Sequence, residues 1–397
     1  MEKIRPLSYG RHYIDEDDIQ AVVSVLRGDF ITQGPAVEHF EQALIDKTGA
    51  KHAIAVSSGT AALHIACLAA DVRPGDIGIT SALTFIASAN AMRYCGAEVK
   101  LTDVDPQTLC MSSATLKAAL HETPEASVVI PVHFSGLASD CAEIRSLAGE
   151  RVVIEDAAHA LGACYDNGRP VGCCDHSDMT IFSFHPVKPI TTGEGGAVLT
   201  NNDELAHRLR VLRTHGIERS QDNLQNPDDA FENGAPRPWY FEQQCLGFNY
   251  RLCDIQAALG LSQMSKLGAF ITRRREIADV YDQAFQDVPG IMPCQDLPQQ
   301  RAHSGHHLYI VQLDYEAIGL NRIEIIDRLK DKQVGTQVHY IPVYHHPYHK
   351  SRTQVGPDVF PVTEAYYQNG LTLPLFPSLS DDEIQHVITS VQDVIGA

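Results

Sequence analysis

The strongest constraint on the fold of this chain is an alternation. Up to about residue 215, short apolar runs take turns with amphipathic segments of helix length. The runs His52 to Val56, Ile77 to Thr80, Glu98 to Val104, Ser127 to Val132, Arg151 to Glu155, Met179 to Phe182 and Ala197 to Leu199 read as strands. Between most of them lies one helical segment: Thr60 to Ala70, Phe85 to Tyr94, Ala114 to His121 and Ala138 to Leu147. Parallel neighbours need long crossovers, usually helices, so this order implies an α/β unit with a largely parallel sheet covered on both faces. Ligands of such sheets gather at the carboxyl ends of the strands. A further helix opens the chain, where Ile19, Val22, Val23 and Leu26 recur at helical spacing before Gly28.

Beyond residue 215 the pattern changes. Ser220 to Pro238 is rich in Asn, Gln, Asp and Pro and reads as a long loop, either mobile or covering a site. Then come helical stretches Leu252 to Leu267 and Ile271 to Phe285, a strand His307 to Leu313, a helix Arg322 to Lys330, a strand Gln337 to Tyr340 and a helix Asp381 to Ile395. This mixed order suggests a smaller α+β unit. We divide the chain into a large cofactor-binding domain, 1–250, and a smaller C-terminal domain, 251–397.

Charge narrows the function. With 50 Asp+Glu against 31 Lys+Arg, the formal charge of −19 repels nucleic acid and anionic membranes, so neither is expected as a partner. No run approaches the ~18 apolar residues of a membrane helix, and the opening Met1-Glu2-Lys3-Ile4-Arg5-Pro6 lacks the apolar stretch of a secretory leader. The ten cysteines are scattered without a C-x-x-C pair, which suits a reducing compartment. A cytoplasmic protein working on small molecules is the expectation.

Four segments carry candidate chemistry. In Phe182-Ser183-Phe184-His185-Pro186-Val187-Lys188 a lysine follows a strand within a turn, where desolvation would lower its pKa and leave an amine able to condense with an aldehyde. A surface lysine is the competing reading. Val56-Ser57-Ser58-Gly59-Thr60-Ala61 joins a strand to a helix start, aiming free N–H groups and the positive helix end at one spot where a phosphate fits, unless the Ser and Thr only cap the helix. Asp156 ends the apolar run Val152-Val153-Ile154-Glu155, where a carboxylate needs a cationic partner such as a protonated pyridine nitrogen. A helix cap, or a metal site with His159, competes with that. Ser183 can join Gly59 and Thr60 around the phosphate, and Phe85 supplies an aromatic face after the next strand.

As an ordered set these match what pyridoxal 5'-phosphate requires. The acid keeps the ring nitrogen protonated, so that the ring draws electrons from the substrate carbon, while the lysine holds the aldehyde and moves the proton. Rival cofactors fare worse. Gly193-Glu194-Gly195-Gly196 precedes a strand, unlike a dinucleotide fingerprint, and no G-x-x-x-x-G-K-[ST] loop exists. Cys173-Cys174-Asp175-His176 and the cluster His345, His346 and His349 lack the paired spacing of a zinc module, so no metal is expected.

These residues resemble the DegT/StrS-type pyridoxal-phosphate sugar aminotransferases, which share the fold type I aminotransferase architecture. The likeness spans nearly the whole chain, through Ile31-Thr32-Gln33-Gly34-Pro35, Ser57 to Leu63, Thr84-Phe85, Glu155-Asp156-Ala157-Ala158-His159-Ala160, Ser183 with Lys188, Gly193 to Gly196 and Gly247-Phe248-Asn249-Tyr250-Arg251. By resemblance, Lys188 and Asp156 are catalytic, while Gly59, Thr60, Phe85, His159, Ser183 and Asn249 also contact the cofactor. His159 falls near the phenolic oxygen, and Asn249 reaches the phosphate of a neighbouring subunit, implying a homodimer with shared sites. The alternative for Asn249 is a cap on the helix near Leu252. Within the family, Phe184 to Gly196 and Gln337 to Tyr344 resemble the pseudaminic-acid branch. That branch implies L-glutamate as donor and a UDP-linked 4-keto-sugar as acceptor. Alternatives are a different nucleotide keto-sugar, a sugar dehydratase in which a relative has His for the lysine, or a regulatory protein that has lost turnover. Retention of Lys188 argues against the dehydratase.

Overall fold

The computed structural model describes residues 5–396; Met1 to Ile4, on which part of the leader reading rests, lie outside them. The elements of the first part are α1 (Glu16–Arg27), α2 (Pro35–Thr48), β1 (His52–Val56), α3 (Gly59–Ala69), β2 (Ile77–Ser81), α4 (Ala87–Tyr94), β3 (Glu98–Thr102), α5 (Ser113–Glu122), β4 (Val128–Ile130), α6 (Cys141–Ala148), β5 (Val152–Asp156), β6 (Met179–Ser183), β7 (Gly196–Thr200) and α7 (Asp203–Arg213). They build one seven-stranded sheet in the order β1-β7-β6-β5-β4-β2-β3. β7 runs antiparallel to both its neighbours, and the remaining pairs are parallel. This is the largely parallel α/β sheet anticipated from the alternation, in the fold type I arrangement that the resemblance implied. Its strands are apolar along nearly their whole length because helices cover both faces.

Two cores lie on opposite faces of this sheet. Ile54, Ile65, Met92, Ile130 and Val198 pack on one, and Phe40, Ala55, Phe182, Phe184 and Leu267 on the other. A third core belongs to the C-terminal part, where the antiparallel strands Ile291–Pro293, Tyr309–Leu313 and Gly370–Leu373 form a separate sheet backed by the helices Arg322–Asp331 and Asp381–Ile395.

The structure corrects several sequence expectations. The two helical stretches after residue 250 are one 32-residue helix, Asp254–Phe285. Its apolar stripe changes partner midway: Ala257, Leu267 and Phe270 join the first part's core, whereas Ile277, Tyr281 and Phe285 join the C-terminal core. The change of phase makes one helix look like two. Gln337 to Tyr340 is not a strand. Gln337 makes a lone bridge to Thr372, and the chain then leaves the sheet so that His339 and Tyr340 line a pocket. The expected loop from Ser220 to Pro238 contains the helical turn Pro227–Ala230 and a small hairpin, Phe231–Glu232 with Ala235–Pro236. Asn233 and Gly234 form its turn with φ of 51° and 80°, an Asn-Gly signal that was legible. Also unread was α2, with Pro35 in its first turn and left-handed Gly49 just beyond its end.

Candidate active site

The carboxyl ends of β1, β5 and β6 open on a pocket of about 430 Å³. Gly59, Thr60, Phe85, Asp156, His159, Ser183 and Lys188 all line it, so seven of the eight expected site residues meet in one place. Asn249 does not. It is exposed, on a segment joined to the end of β1 by the Ser57 N–H bond to the Tyr250 carbonyl at 2.8 Å. Nor does it cap the following helix, whose N-cap is Cys253.

The phosphate end is built from β1 and α3. Ser58 Oγ accepts the Ala61 N–H at 3.1 Å, so the cap reading holds for Ser58, whereas the first-turn N–H groups of Gly59 and Thr60 have no partner within the helix. Glycine is required at two positions here. A Cβ on Gly59 would stand 2.9 Å from the Ser183 Cβ, and one on Gly196 would stand 2.5 Å from the Ser58 carbonyl oxygen. Both would fill or push apart a cradle of phosphate size.

At the other end, Asp156 is buried at the tip of β5. Its Oδ2 accepts the Ser88 hydroxyl at 2.6 Å, and Oδ1 accepts the Ala158 N–H at 3.1 Å. The second bond closes a turn; no helix starts after β5, so the competing helix-cap reading does not hold. No ion pair involves Asp156 among the described residues, so a buried carboxylate with lone pairs to spare faces the pocket with no cation at ion-pair distance. A pyridinium nitrogen fits that need, and the cradle fits the phosphate. Ser88, itself bonded to Thr84 at 2.9 Å, was not anticipated; nothing in the sequence marks it beyond its place in the first turn of α4.

Lys188 lies on the loop between β6 and β7, half-buried, with its pKa lowered to about 8. Burial is the main cause, opposed by the Asp156 charge. A neutral amine is therefore accessible near neutrality. His159 is buried and held from behind: the Ser135 N–H donates to its Nδ1 at 3.2 Å, so the proton of the neutral ring sits on Nε2, 3.0 Å from the Tyr340 hydroxyl. Burial, aided by the Lys188 charge, keeps the His159 pKa well below the ordinary value. Phe85 is 55% exposed, its ring centroid 5.8 Å from that of Tyr340.

The C-terminal part completes the wall with His339 and Tyr340. His339 bonds Thr372 Oγ1 at 2.8 Å and has its pKa pushed down to about 3 by burial. A second hollow, about 310 Å³, shares Tyr9, Thr84, Phe85, His339 and Tyr340 with the first and continues toward Ile341 and His346. Three of the residues weighed for zinc are engaged elsewhere. Asp175 pairs with Arg169 at 2.8 Å, His345 with Glu364 at 2.9 Å, and His349 with Asn90 Oδ1 at 3.0 Å. No helix among the described residues is long and apolar enough to cross a membrane.

Comparison with known proteins agrees with this geometry. The chain is 39% identical over 392 residues to the Bacillus subtilis (strain 168) spore coat polysaccharide biosynthesis protein SpsC, covering 98% of this chain and 97% of that one. Among solved structures it resembles Helicobacter pylori PseC, an aminotransferase involved in the biosynthesis of pseudoaminic acid, with a TM-score of 0.88, 28% identity and coverage of 99% and 100% of the two chains. The pyridoxal-phosphate form of Spr1654, a putative sugar aminotransferase from Streptococcus pneumoniae, gives 0.86 and 28%, covering 98% and 99%. Residues 12–392 match the DegT/DnrJ/EryC1/StrS aminotransferase family, and the chain belongs to that family as a pyridoxal-phosphate-dependent sugar aminotransferase.

Proposed function

We propose that the enzyme transfers an amino group from L-glutamate to the 4-keto group of UDP-2-acetamido-2,6-dideoxy-β-L-arabino-hexos-4-ulose, giving UDP-4-amino-4,6-dideoxy-N-acetyl-β-L-altrosamine. The observation that carries this reading is the pair of connected hollows. The first suits a cofactor with a small donor, and the second leaves room for a larger acceptor beyond it. Likeness to PseC over the full chain supports the choice of sugar.

The cofactor supplies an electron sink and a temporary carrier for the amino group. With the cofactor bound, Lys188 Nζ would be the amine that holds its aldehyde and the group that moves a proton at the reacting carbon. Asp156 keeps the ring nitrogen protonated, with Ser88 and Ala158 fixing the carboxylate. Gly59, Thr60 and Ser183 would receive the phosphate, Phe85 would offer its face to the ring, and His159 would offer its Nε2 proton to the phenolic oxygen.

Asn249 serves the site of the neighbouring subunit in a homodimer. In support, it is exposed and outside its own pocket, and the same segment shows Trp239, Phe241 and Leu246 to solvent. Large apolar side chains grouped on a surface are characteristic of an interface.

A second reading keeps the chemistry and changes the sugar, favoured by the higher identity to SpsC, a spore coat polysaccharide protein. Product identification from a panel of UDP- and dTDP-keto-sugars with glutamate separates the two. Turnover of the named UDP-sugar alone supports the first, and preference for a dTDP-sugar or a 3-keto-sugar replaces it.

A further inference from the structure

Behind β5, on the face opposite the pocket, lies a buried anion that the reaction does not use. Glu155 is fully buried. Its Oε2 accepts the His133 Nε2–H at 2.7 Å and the Tyr165 hydroxyl, while Oε1 has no hydrogen-bond partner. Leaving a carboxylate oxygen unpaired in a dry interior is costly, and such groups persist where they serve something beyond stability.

The cluster also contains Cys141, with the ligand atoms of His133, Cys141 and Glu155 all within 4.8 Å of one another. A cation does not suit it. The Ser139 N–H donates to His133 Nδ1 at 3.1 Å, so the neutral ring carries its one proton on Nε2 and has no lone pair left for a metal. Every group touching Glu155 Oε2 is thus a donor, and donation runs from the Ser139 N–H through His133 to the carboxylate.

That backbone connects the two faces of β5. The His133 N–H donates to the Asp156 carbonyl at 3.0 Å, and the Asp156 N–H donates to the Pro131 carbonyl at 2.9 Å. Two residues on, Ser135 is held at φ 62°, a left-handed conformation that a serine adopts only when its surroundings impose it. Its N–H is the group that donates to His159 Nδ1. The far side of the turn is pinned by the C-terminal part, through the His307 N–H to the Ser135 carbonyl at 2.9 Å and the Ser135 hydroxyl to the Leu308 carbonyl at 3.0 Å.

We propose that Glu155 is a positioning residue: through His133 it fixes the turn 133–139, and that turn sets the His159 ring with its proton on Nε2, facing the pocket. A carboxylate does this better than a neutral isostere because it only accepts. An amide in its place can donate as well, so the His133 proton could move to Nδ1, where it would oppose the Ser139 N–H and loosen the turn.

The inference rests on the cofactor-side role given to His159, and its test keeps the two apart. Uniformly ¹⁵N-histidine-labelled Glu155→Gln protein is compared with wild type by NMR, with and without pyridoxal phosphate, and the His159 signals are identified by their absence in His159→Gln. Wild type should show His159 as the Nε2–H form, and Glu155→Gln should show a mixture of tautomers. The pH at which the bound cofactor changes colour should move in Glu155→Gln and in His159→Gln alike. Glutamate half-reaction rates should fall about tenfold in each single variant and no further in the double variant, as expected when one residue acts through the other. If Glu155→Gln fails to fold, His133→Gln removes the link between Glu155 and the turn and should shift the His159 tautomer balance in the same direction. An unchanged His159 tautomer, or additive rate losses, overturns the role of Glu155. Wild-type rate and colour in His159→Gln, with the tautomer still dependent on Glu155, overturns only the role of His159.

Discussion

The pocket floor and the segment from 215 to 250 are both near the site, yet they are built on opposite terms. The floor stands on strand ends, with Asp156 and His159 buried and bonded on two sides. The segment is made of two-residue strands, a helical turn and a hairpin, and it exposes Trp239 at 69% and Leu246 at 82%. One region is finished within the chain. The other is stable in its backbone but leaves apolar surface for something else to cover, which is why Asn249 is read as a residue for a neighbour.

Tests at four residues would break or sharpen that contrast. The largest effect is expected at the floor: Lys188→Ala should lose turnover by on the order of 10⁴-fold or more, and borohydride should fix the cofactor to Lys188 in wild type. A peptide map with the adduct on another lysine would remove it. In the same protein stripped of cofactor, capture of pyridoxal phosphate should quicken as pH rises through about 8, because burial has lowered the Lys188 pKa to that point and the neutral amine is the reactive form. A midpoint near the ordinary lysine value would mean the amine is not desolvated in solution.

Next comes Asp156→Asn, which preserves shape and removes charge. The glutamate half-reaction should slow by on the order of a hundredfold while the protein stays folded and coloured. A turn cap alone would tolerate Asn almost without cost, so a rate close to wild type in stopped flow would return Asp156 to that humbler role.

The third test addresses the exposed region. Asn249→Ala should weaken cofactor binding by about tenfold, the size of a hydrogen bond to a charged group. Mixed and exchanged with Lys188→Ala chains at a cofactor concentration too low to load Asn249→Ala alone, it should restore about a quarter of the wild-type sites, since half the dimers are mixed and each carries one intact site. No recovery despite proven subunit exchange would mean that the site is complete in one chain and the comparison drawn above is wrong. The smallest effect is expected for Ser88→Ala, which removes the hydroxyl bonded to Asp156 and should cost about three- to tenfold in the same half-reaction. An unchanged rate would show that the Ala158 N–H alone holds the carboxylate.

Much of the floor was legible because its chemistry is attached to regular elements. A strand end, a glycine turn and a helix start place Gly59 and Asp156 within narrow limits, and the parallel order brings those ends together. His159 was visible as a residue type, but its proton position depends on Ser135, whose left-handed backbone no local pattern announces. Ser88, Tyr340 and Glu155 depend on side chains converging from distant segments, so their partners could not be read from spacing. α1 was found by its apolar period, yet Ile19 and Leu26 on that stripe are exposed, and the residue it buries is Asp18, bonded to Ser262 and Gln263. Periodicity located the helix; it did not say which face turns inward.

The long helix Asp254–Phe285 has a mechanical consequence. At 1.5 Å per residue its 32 residues make a beam of about 48 Å, clamped in one core at its start and in another at its end. A tilt of only about 5° beyond Gly268 carries its far end sideways by about 2 Å, and the sheet that anchors His339 through Thr372 would travel with it. The same sheet also holds the turn behind His159, through His307 and Leu308 to Ser135, so such a lever would carry the His339 wall and that turn together rather than the wall alone.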